Sequence, residues 1–431
     1  MRLDALLDED VPVTTKGWPV HARDVPLRKV AAERWSLLDH DLPMPAAVLK
    51  ESALSHNSRW MRSFLERFDV KISPHGKTTM APQLFARQLA DGAEGITVAT
   101  VQQMMVCRRF GVPKVLIANQ VVGRQAIRTL LGELKDDPSF EVTCLVDSVA
   151  GIEAIAKEAD EIRPGRPLRV LLEGGVEGAR TGCRTVEQGL EVARAAAASP
   201  AVALVGVEGF EGVISRGRPE EGEAAVGNFL HFLVELAQGC AREGLFAPGP
   251  VLLTAGGSSF FDLVTRIFGE ADLGRETRTV LRSGCYLTHD SKMYTQAFAR
   301  LRERMPEVDA LGPGLRPALE VWAVVQSVPE PGRVILTMGK RDVSFDSGLP
   351  VAERWFRSNL HRAPQTIGEG FEVVALNDQH AFLDVPESSP LQVGDLVGFG
   401  ISHPCTTFDR WGLLYVVDDD YRVTGAVKTF F

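Results

Sequence analysis

Between residues 69 and 283, short apolar runs alternate with longer stretches in which apolar side chains recur every three or four positions. The short runs, at 69–77, 95–99, 114–118, 140–147, 167–173, 202–208, 251–255 and 277–283, have the length and composition of strands. The stretches between them, such as GRQAIRTLLGELK, VAGIEAIAKEA, TVEQGLEVARAAAA and AVGNFLHFLVELAQGCAREG, have the period of helices. Eight such units in about 240 residues predict a (β/α)8 TIM barrel, whose usual size is about 250 residues. An open doubly wound sheet would carry the same pattern, because periodicity does not determine whether a sheet closes.

Beyond about residue 316 the pattern changes. The runs ALEVWAVVQSV, GRVILTM, FEVVALNDQHAFLDV, GDLVGFGIS and WGLLYVVDDDYRVTGAVKTFF are short, β-rich and separated by Gly, Pro and Asp, which predicts a second, mostly β C-terminal domain. At 431 residues the chain exceeds the size at which one core stops growing. The expected division is a barrel at 45–305 and a β-rich domain at 306–431. The barrel includes a lead-in strand, PAAVLK, and a helix, SALSHNSRWMRSFLERF, capped by Ser52. Residues 1–44, with one short helix predicted at 30–38, form an extension able to pack on either domain.

The net charge of −9 argues against a nucleic-acid partner and against an anionic membrane surface. No apolar run approaches the ~18 residues that span a bilayer. The N-terminus, MRLDALLDEDVPV, has acids where a secretory signal carries bases, so a cytoplasmic protein is expected. Six cysteines (Cys107, Cys144, Cys183, Cys240, Cys285 and Cys405) show no CxxC spacing and are expected to be free thiols.

Four places carry candidate chemistry. In residues 69–82, DVKISPHGKTTMAP, Pro74 and Gly76 end a strand and make Lys77 project from its end. A loop lysine is ordinarily solvated, and that reading stands beside a catalytic one. The turn Gly256-Gly257-Ser258 follows the seventh strand and Ser283-Gly284 with Tyr286 follows the eighth, the two loops that commonly hold phosphate in a barrel. After the fifth strand, Arg180 lies in LLEGGVEGARTGCR, where a surface pair with Glu177 or Glu173 is the plain alternative. Finally, His403 and Cys405 in ISHPCTTFDRW lie two apart, so an extended backbone points both to one side. Imidazole and thiolate together suit zinc, and two protein ligands leave positions open, as a catalytic metal requires. An accidental HxC is the alternative.

PHGKTTMAP and SHPCTTFDRW resemble segments of the D-serine dehydratase and D-threonine aldolase family, within the alanine racemase fold type of pyridoxal phosphate enzymes. The likeness runs from about residue 45 to the C-terminus. It implies that Lys77 carries pyridoxal 5′-phosphate and serves as the catalytic base. It implies that Arg180 reaches the cofactor's 3′-oxygen and that His403 and Cys405 bind Zn2+, the cysteine siding with the dehydratases rather than the aldolases. The implied activity is loss of water and ammonia from a D-β-hydroxy amino acid, first of all D-serine. D-threonine aldolase chemistry, a 3-hydroxyaspartate dehydratase and a non-catalytic cofactor carrier are the alternatives. A homodimer is implied too. Two features depart from the pattern. The histidines that relatives carry near GVEGFEGV are absent, and with four tyrosines in the chain no occupant is evident for a racemase-type tyrosine base. MGKRDVSFDSGLP, at 338–350, resembles a loop facing the family's active site.

Overall fold

In a computed structural model, which describes residues 1–214 and 219–431, the chain forms two units. One comprises Met1, 62–77 and 88–284, and the other 2–61, 78–87 and 285–431.

The first unit holds eight parallel strands: β1 (Lys71–Ile72), β2 (Ile96–Val98), β3 (Lys114–Gln120), β4 (Glu141–Val146), β5 (Leu168–Glu173), β6 (Val202–Glu208), β7 (Val251–Ala255) and β8 (Thr277–Leu281). Their spatial order is β1-β8-β7-β6-β5-β4-β3-β2. The two ends of that path meet: Glu94 N donates to Ile72 O at 2.9 Å and Thr97 N to Pro74 O at 2.9 Å, and His75 bridges Thr97 in parallel. The sheet is therefore curled into a TIM-like ring, and the open-sheet alternative does not hold. The strand expected over 69–77 is short, because Pro74 has no N–H to give and a 3₁₀ turn at Gly76–Thr78 follows.

Leu116, Leu145, Leu171, Val205, Leu252 and Val280, one from each of β3 to β8, form a single buried cluster. Strand alternation places Glu173, Thr254 and Arg282 two residues further on, on the same face, and all three are buried. An apolar layer thus lies beneath a polar one at the carboxyl ends of the strands. The outer helices begin at side-chain caps: Thr100, Ser148 and Thr185 accept from Gln103 N, Gly151 N and Gln188 N. Each such cap stabilises by about 1 kcal/mol.

In the second unit, Leu319–Glu330 pairs antiparallel with Leu396–Gly400. The strand Ala46–Lys50, which the sequence reading joined to the barrel, pairs antiparallel with Leu319–Glu330 (Leu319↔Leu49) and parallel with Leu413–Val417 (Tyr415↔Val48). Its near-continuous apolar run fits a strand covered on both faces. The helix after it starts at Glu51, and Ser52, one residue in, donates through Oγ to Asp419 at 2.6 Å instead of capping. Residues 2–44 pack on this same unit. Trp18, Trp35 and Tyr415 form a chain of edge-to-face rings, Ser36 bridges Arg422, and Lys16 Nζ lies 2.8 Å from Asp342 Oδ1. The helix expected at 30–38 is instead a 3₁₀ segment, Leu27–Glu33. No helix among the described residues is long and apolar enough to cross a membrane.

Candidate functional site

Lys77 sits in the 3₁₀ turn that ends the first strand's path, half-buried. His75, two residues earlier, donates its backbone N–H to Arg282 O at 3.1 Å. Arg282 is buried; it pairs with Glu208 and donates through Nη2 to Gly209 O at 2.8 Å. Three buried polar atoms here, His75 Nδ1, Glu208 Oε2 and Arg282 Nε, have no hydrogen-bond partner among the described residues. Buried polar groups are ordinarily satisfied, so a concentration of partnerless ones at strand ends fits a place built to receive a polar ligand.

Charge distribution supports that reading. Burial first, then the neighbouring cations Lys77, Arg282 and Arg180, holds the His75 imidazole well below its usual range, so it is neutral. Burial pushes the Glu208 carboxyl up to about 7 against the opposing pull of Arg282. A carboxyl raised in the folded state binds its proton more tightly there than in the unfolded chain. Its stabilising contribution is complete below the ordinary value of 4.5 and is lost as pH rises through about 7. Glu208→Gln is therefore expected to flatten the fall in stability of the cofactor-free protein between those limits, read by denaturant unfolding at both ends. An unaltered slope would return Glu208 to an ordinary ionised carboxylate.

The loops after β7 and β8 are pinned by the chain itself. Gly256 has φ +97°, a conformation that favours glycine. The buried Glu211 carboxylate accepts from Gly256 N at 3.2 Å and Gly257 N at 2.6 Å. Ser283 Oγ donates to Gly256 O at 3.1 Å. The two glycine N–H groups expected to face a phosphate are thus bound by Glu211, and Ser258 lies in the turn that leads into the helix Phe261–Gly269. Gly284 ends the first unit, whereas Tyr286 packs, buried, in the second.

Arg180 is exposed and lies over the Phe210 ring at 4.7 Å. Among the described residues it makes no ion pair. Glu173 instead accepts from Thr181 Oγ1 at 3.0 Å and from Gln120 Nε2. Gly182, with φ +99°, lets the loop approach Gly174, whose carbonyl carbon would lie 2.6 Å from any Cβ.

The second constellation is contained in the other unit. His403 Nδ1 lies 2.6 Å from Asp346 Oδ2, and Thr406 Oγ1 donates to Asp346 Oδ1 at 2.7 Å. Cys405 Sγ lies 3.4 Å from Thr78 Oγ1 and 3.6 Å from Cys285 Sγ. The bond from Cys285 first, then His403, holds the Cys405 thiol well below its usual range in spite of burial. Burial would lower the His403 imidazole, but Cys405 and Asp346 outweigh it and push it up to about 9. Among the described residues no group of three or more His, Cys, Asp or Glu side chains is arranged to hold a metal ion. The donors nevertheless suit zinc: a carboxylate on one ring nitrogen orients the histidine and leaves the other nitrogen for a metal, beside a thiolate.

Sequence reasoning passed over His75, Glu208, Glu211, Arg282, Asp346 and Cys285. Asp346 lies in MGKRDVSFDSGLP, and Glu208 and Glu211 stand in the GVEGFEGV run, where only missing histidines were noted. Acidic residues in an otherwise apolar strand end were the signal available.

Residues 49–256 match the family described as alanine racemase, N-terminal domain, and residues 318–417 match the one described as "Putative serine dehydratase domain". The chain is 26% identical to a D-threonine aldolase of Arthrobacter sp over 87% of its own length and 89% of that protein. Its structure is similar to that of D-threonine aldolase from Filomicrobium marinum, with a TM-score of 0.74 at 22% identity, covering 90% of this chain and 95% of that one. D-threo-3-hydroxyaspartate dehydratase from Delftia sp. HT23 superposes with a TM-score of 0.72 at 21% identity over 92% and 99% of the two chains. The two domain matches and the ring-plus-sheet architecture show that the chain has the alanine racemase fold, with a C-terminal region that matches the serine dehydratase domain.

Proposed function

We propose that the protein is a pyridoxal phosphate- and zinc-dependent lyase that dehydrates and deaminates a D-β-hydroxy amino acid, D-serine first, to a 2-keto acid and ammonia. The observation that carries this reading is Lys77 at a strand end of the ring, two residues from His75, whose Nδ1 is, like Glu208 Oε2 and Arg282 Nε, buried and without a partner among the described residues. Lys77 is the residue to carry the cofactor and to take the α-proton of the substrate. Bound pyridoxal phosphate supplies an electron sink for the α-carbon. Neutral His75 can accept or donate a hydrogen bond without adding charge, and Arg282, paired with Glu208, bears on His75. Glu211 and Ser283 hold the Gly256-Gly257 turn rigid for the phosphate-bearing end.

Arg180 is assigned to the cofactor's 3′-oxygen. Arg180→Ala is expected to cost about 1.5 to 3 kcal/mol of cofactor binding, roughly tenfold or more in Kd. An unchanged cofactor spectrum and affinity would leave the guanidinium to Phe210 alone. His403 and Cys405 are assigned to zinc, which supplies a Lewis acid for the departing β-oxygen.

The similarity to the Arthrobacter D-threonine aldolase over most of the chain favours a second reading, retro-aldol cleavage with the same cofactor. A panel of D-serine, D-threonine and D-3-hydroxyaspartate, assayed for keto acid, ammonia, glycine and aldehyde, separates the two. Keto acid with equimolar ammonia supports dehydration, and glycine with aldehyde overturns it. A homodimer and a cytoplasmic location go with this reading, the first testable by sedimentation.

A further inference from the structure

Arg180 stands on an exposed loop and makes no ion pair among the described residues, so no carboxylate aims its guanidinium. Its backbone is held in place: Arg184 Nη2 donates to Arg180 O, and Arg184 Nη1 donates to Thr181 O at 2.7 Å and Gly182 O at 3.1 Å. Its side chain meets Phe210, whose ring centroid lies 4.7 Å from the guanidinium carbon. A guanidinium over an aromatic face is attracted by the ring's quadrupole.

Phe210 is half-buried, and its backbone is fixed at both neighbours. Gly209 N donates to Thr254 O at 3.2 Å, and Gly209 O accepts from Arg282 Nη2 at 2.8 Å. On the other side the Glu211 carboxylate accepts from Gly256 N and Gly257 N. The ring lies against two glycines: a Cβ on Gly212 would stand 2.5 Å from Phe210 Cζ, and one on Gly257 3.1 Å from Cε2. Two positions without side chains thus leave room for the ring. One aromatic side chain therefore lies beside both the Gly256-Gly257 turn and the arginine assigned to the cofactor's 3′-oxygen. The charge of Arg180 also acts on the His75 imidazole and the Glu208 carboxyl, so the guanidinium is near the buried polar cluster while resting on Phe210.

From the guanidinium over the Phe210 ring and the place of that ring against Gly212 and Gly257, we propose that Phe210 is a positioning residue. It holds Arg180 toward the cofactor's 3′-oxygen by a cation–π contact and ties the arginine to the Gly256-Gly257 turn. The inference rests on the cofactor reading of Arg180 and adds the residue that aims it. The 3′-oxygen and the phosphate-bearing arm belong to one pyridine ring, so the groups that receive them need a fixed spacing. An exposed arginine samples many rotamers, and ordering it on binding costs affinity. A ring that holds it beforehand reduces that cost.

A double-mutant cycle on the full chain, titrated with pyridoxal 5′-phosphate, tests the proposal without reference to turnover. Phe210→Leu, which keeps apolar bulk and removes the π face, should raise the cofactor Kd about two- to fivefold. It should move the bound cofactor's absorbance in the same direction as Arg180→Ala does. Phe210→Tyr, which keeps the ring, should stay near wild type in both. In an Arg180→Ala background, Phe210→Leu should have no further effect, because the contact it removes is already gone. Phe210→Met repeats the cycle should leucine disturb the fold. Equal losses from Phe210→Leu with and without Arg180 would make Phe210 a packing residue and overturn the proposal. So would an unchanged Kd and spectrum in Phe210→Leu while Arg180→Ala shifts both. If Arg180→Ala itself shifts neither, the 3′-oxygen assignment falls and the role of Phe210 falls with it.

Discussion

Lys77→Ala is expected to abolish turnover, by at least about 10^4-fold, because the residue removed is the one proposed both to anchor the cofactor covalently and to serve as the base at the α-carbon. Residues acting as one unit are lost together, so no partial activity should survive from the base role alone. Lys77→Arg should not restore it, since a guanidinium stays charged and cannot act as an amine nucleophile. The site should otherwise persist: Glu208, Arg282, Glu211 and Ser283 keep their mutual contacts without Lys77, and cofactor can still be held non-covalently. Borohydride treatment followed by mass spectrometry reads the result. A reduced cofactor adduct on residue 77 in the wild type and none in the variant is expected, and an adduct on another lysine of the variant would reject the assignment.

The second large effect is expected from the metal. Chelation, Cys405→Ala or His403→Ala should slow loss of the β-hydroxyl by about 10²- to 10³-fold, since hydroxide is a poor leaving group without a Lewis acid on its oxygen. Cofactor absorbance, melting temperature and exchange of the substrate α-proton should stay near wild type. The reason is the location of the groups: Lys77 belongs to one unit and His403 and Cys405 to the other. Added zinc should rescue the chelated enzyme and neither variant. A purely structural metal predicts a different outcome, in which chelation lowers the melting temperature and releases cofactor together with activity. Native-rate elimination in a chelated enzyme or in Cys405→Ala would refute the catalytic metal.

Several of these residues were legible before any coordinates. Pro74 and Gly76 end a strand by their own backbone chemistry, so the projection of Lys77 follows from residues 69–82 alone. The eight short apolar runs and the change to β-rich sequence near residue 316 are local as well, and each reappears in the structure. The HxC spacing is local too, but the backbone between the pair is not extended: Pro404 is helical (φ −57°, ψ −42°) and a short helix starts at Cys405. Local pattern failed where one segment's partner lies far along the chain. Residues 45–50 read as a lead-in to the ring because the ring follows them, yet Ala46–Lys50 pairs with Leu319–Glu330. A strand's periodicity reports which faces are covered and does not report by what.

What the sequence by itself determined is most of the strands and helices, their order, and the candidate positions Lys77, His403 and Cys405, because these depend on backbone preferences and on residues a few positions apart. Only the tertiary structure decided that the sheet curls shut through Glu94 N on Ile72 O, that Glu211 occupies the Gly256 and Gly257 N–H groups, that Asp346 orients His403, and that Cys285 meets Cys405. The last of these joins residues 120 positions apart. Spacing constrains such an encounter very little, since loop-closure entropy grows only slowly with length, and packing alone selects the partner.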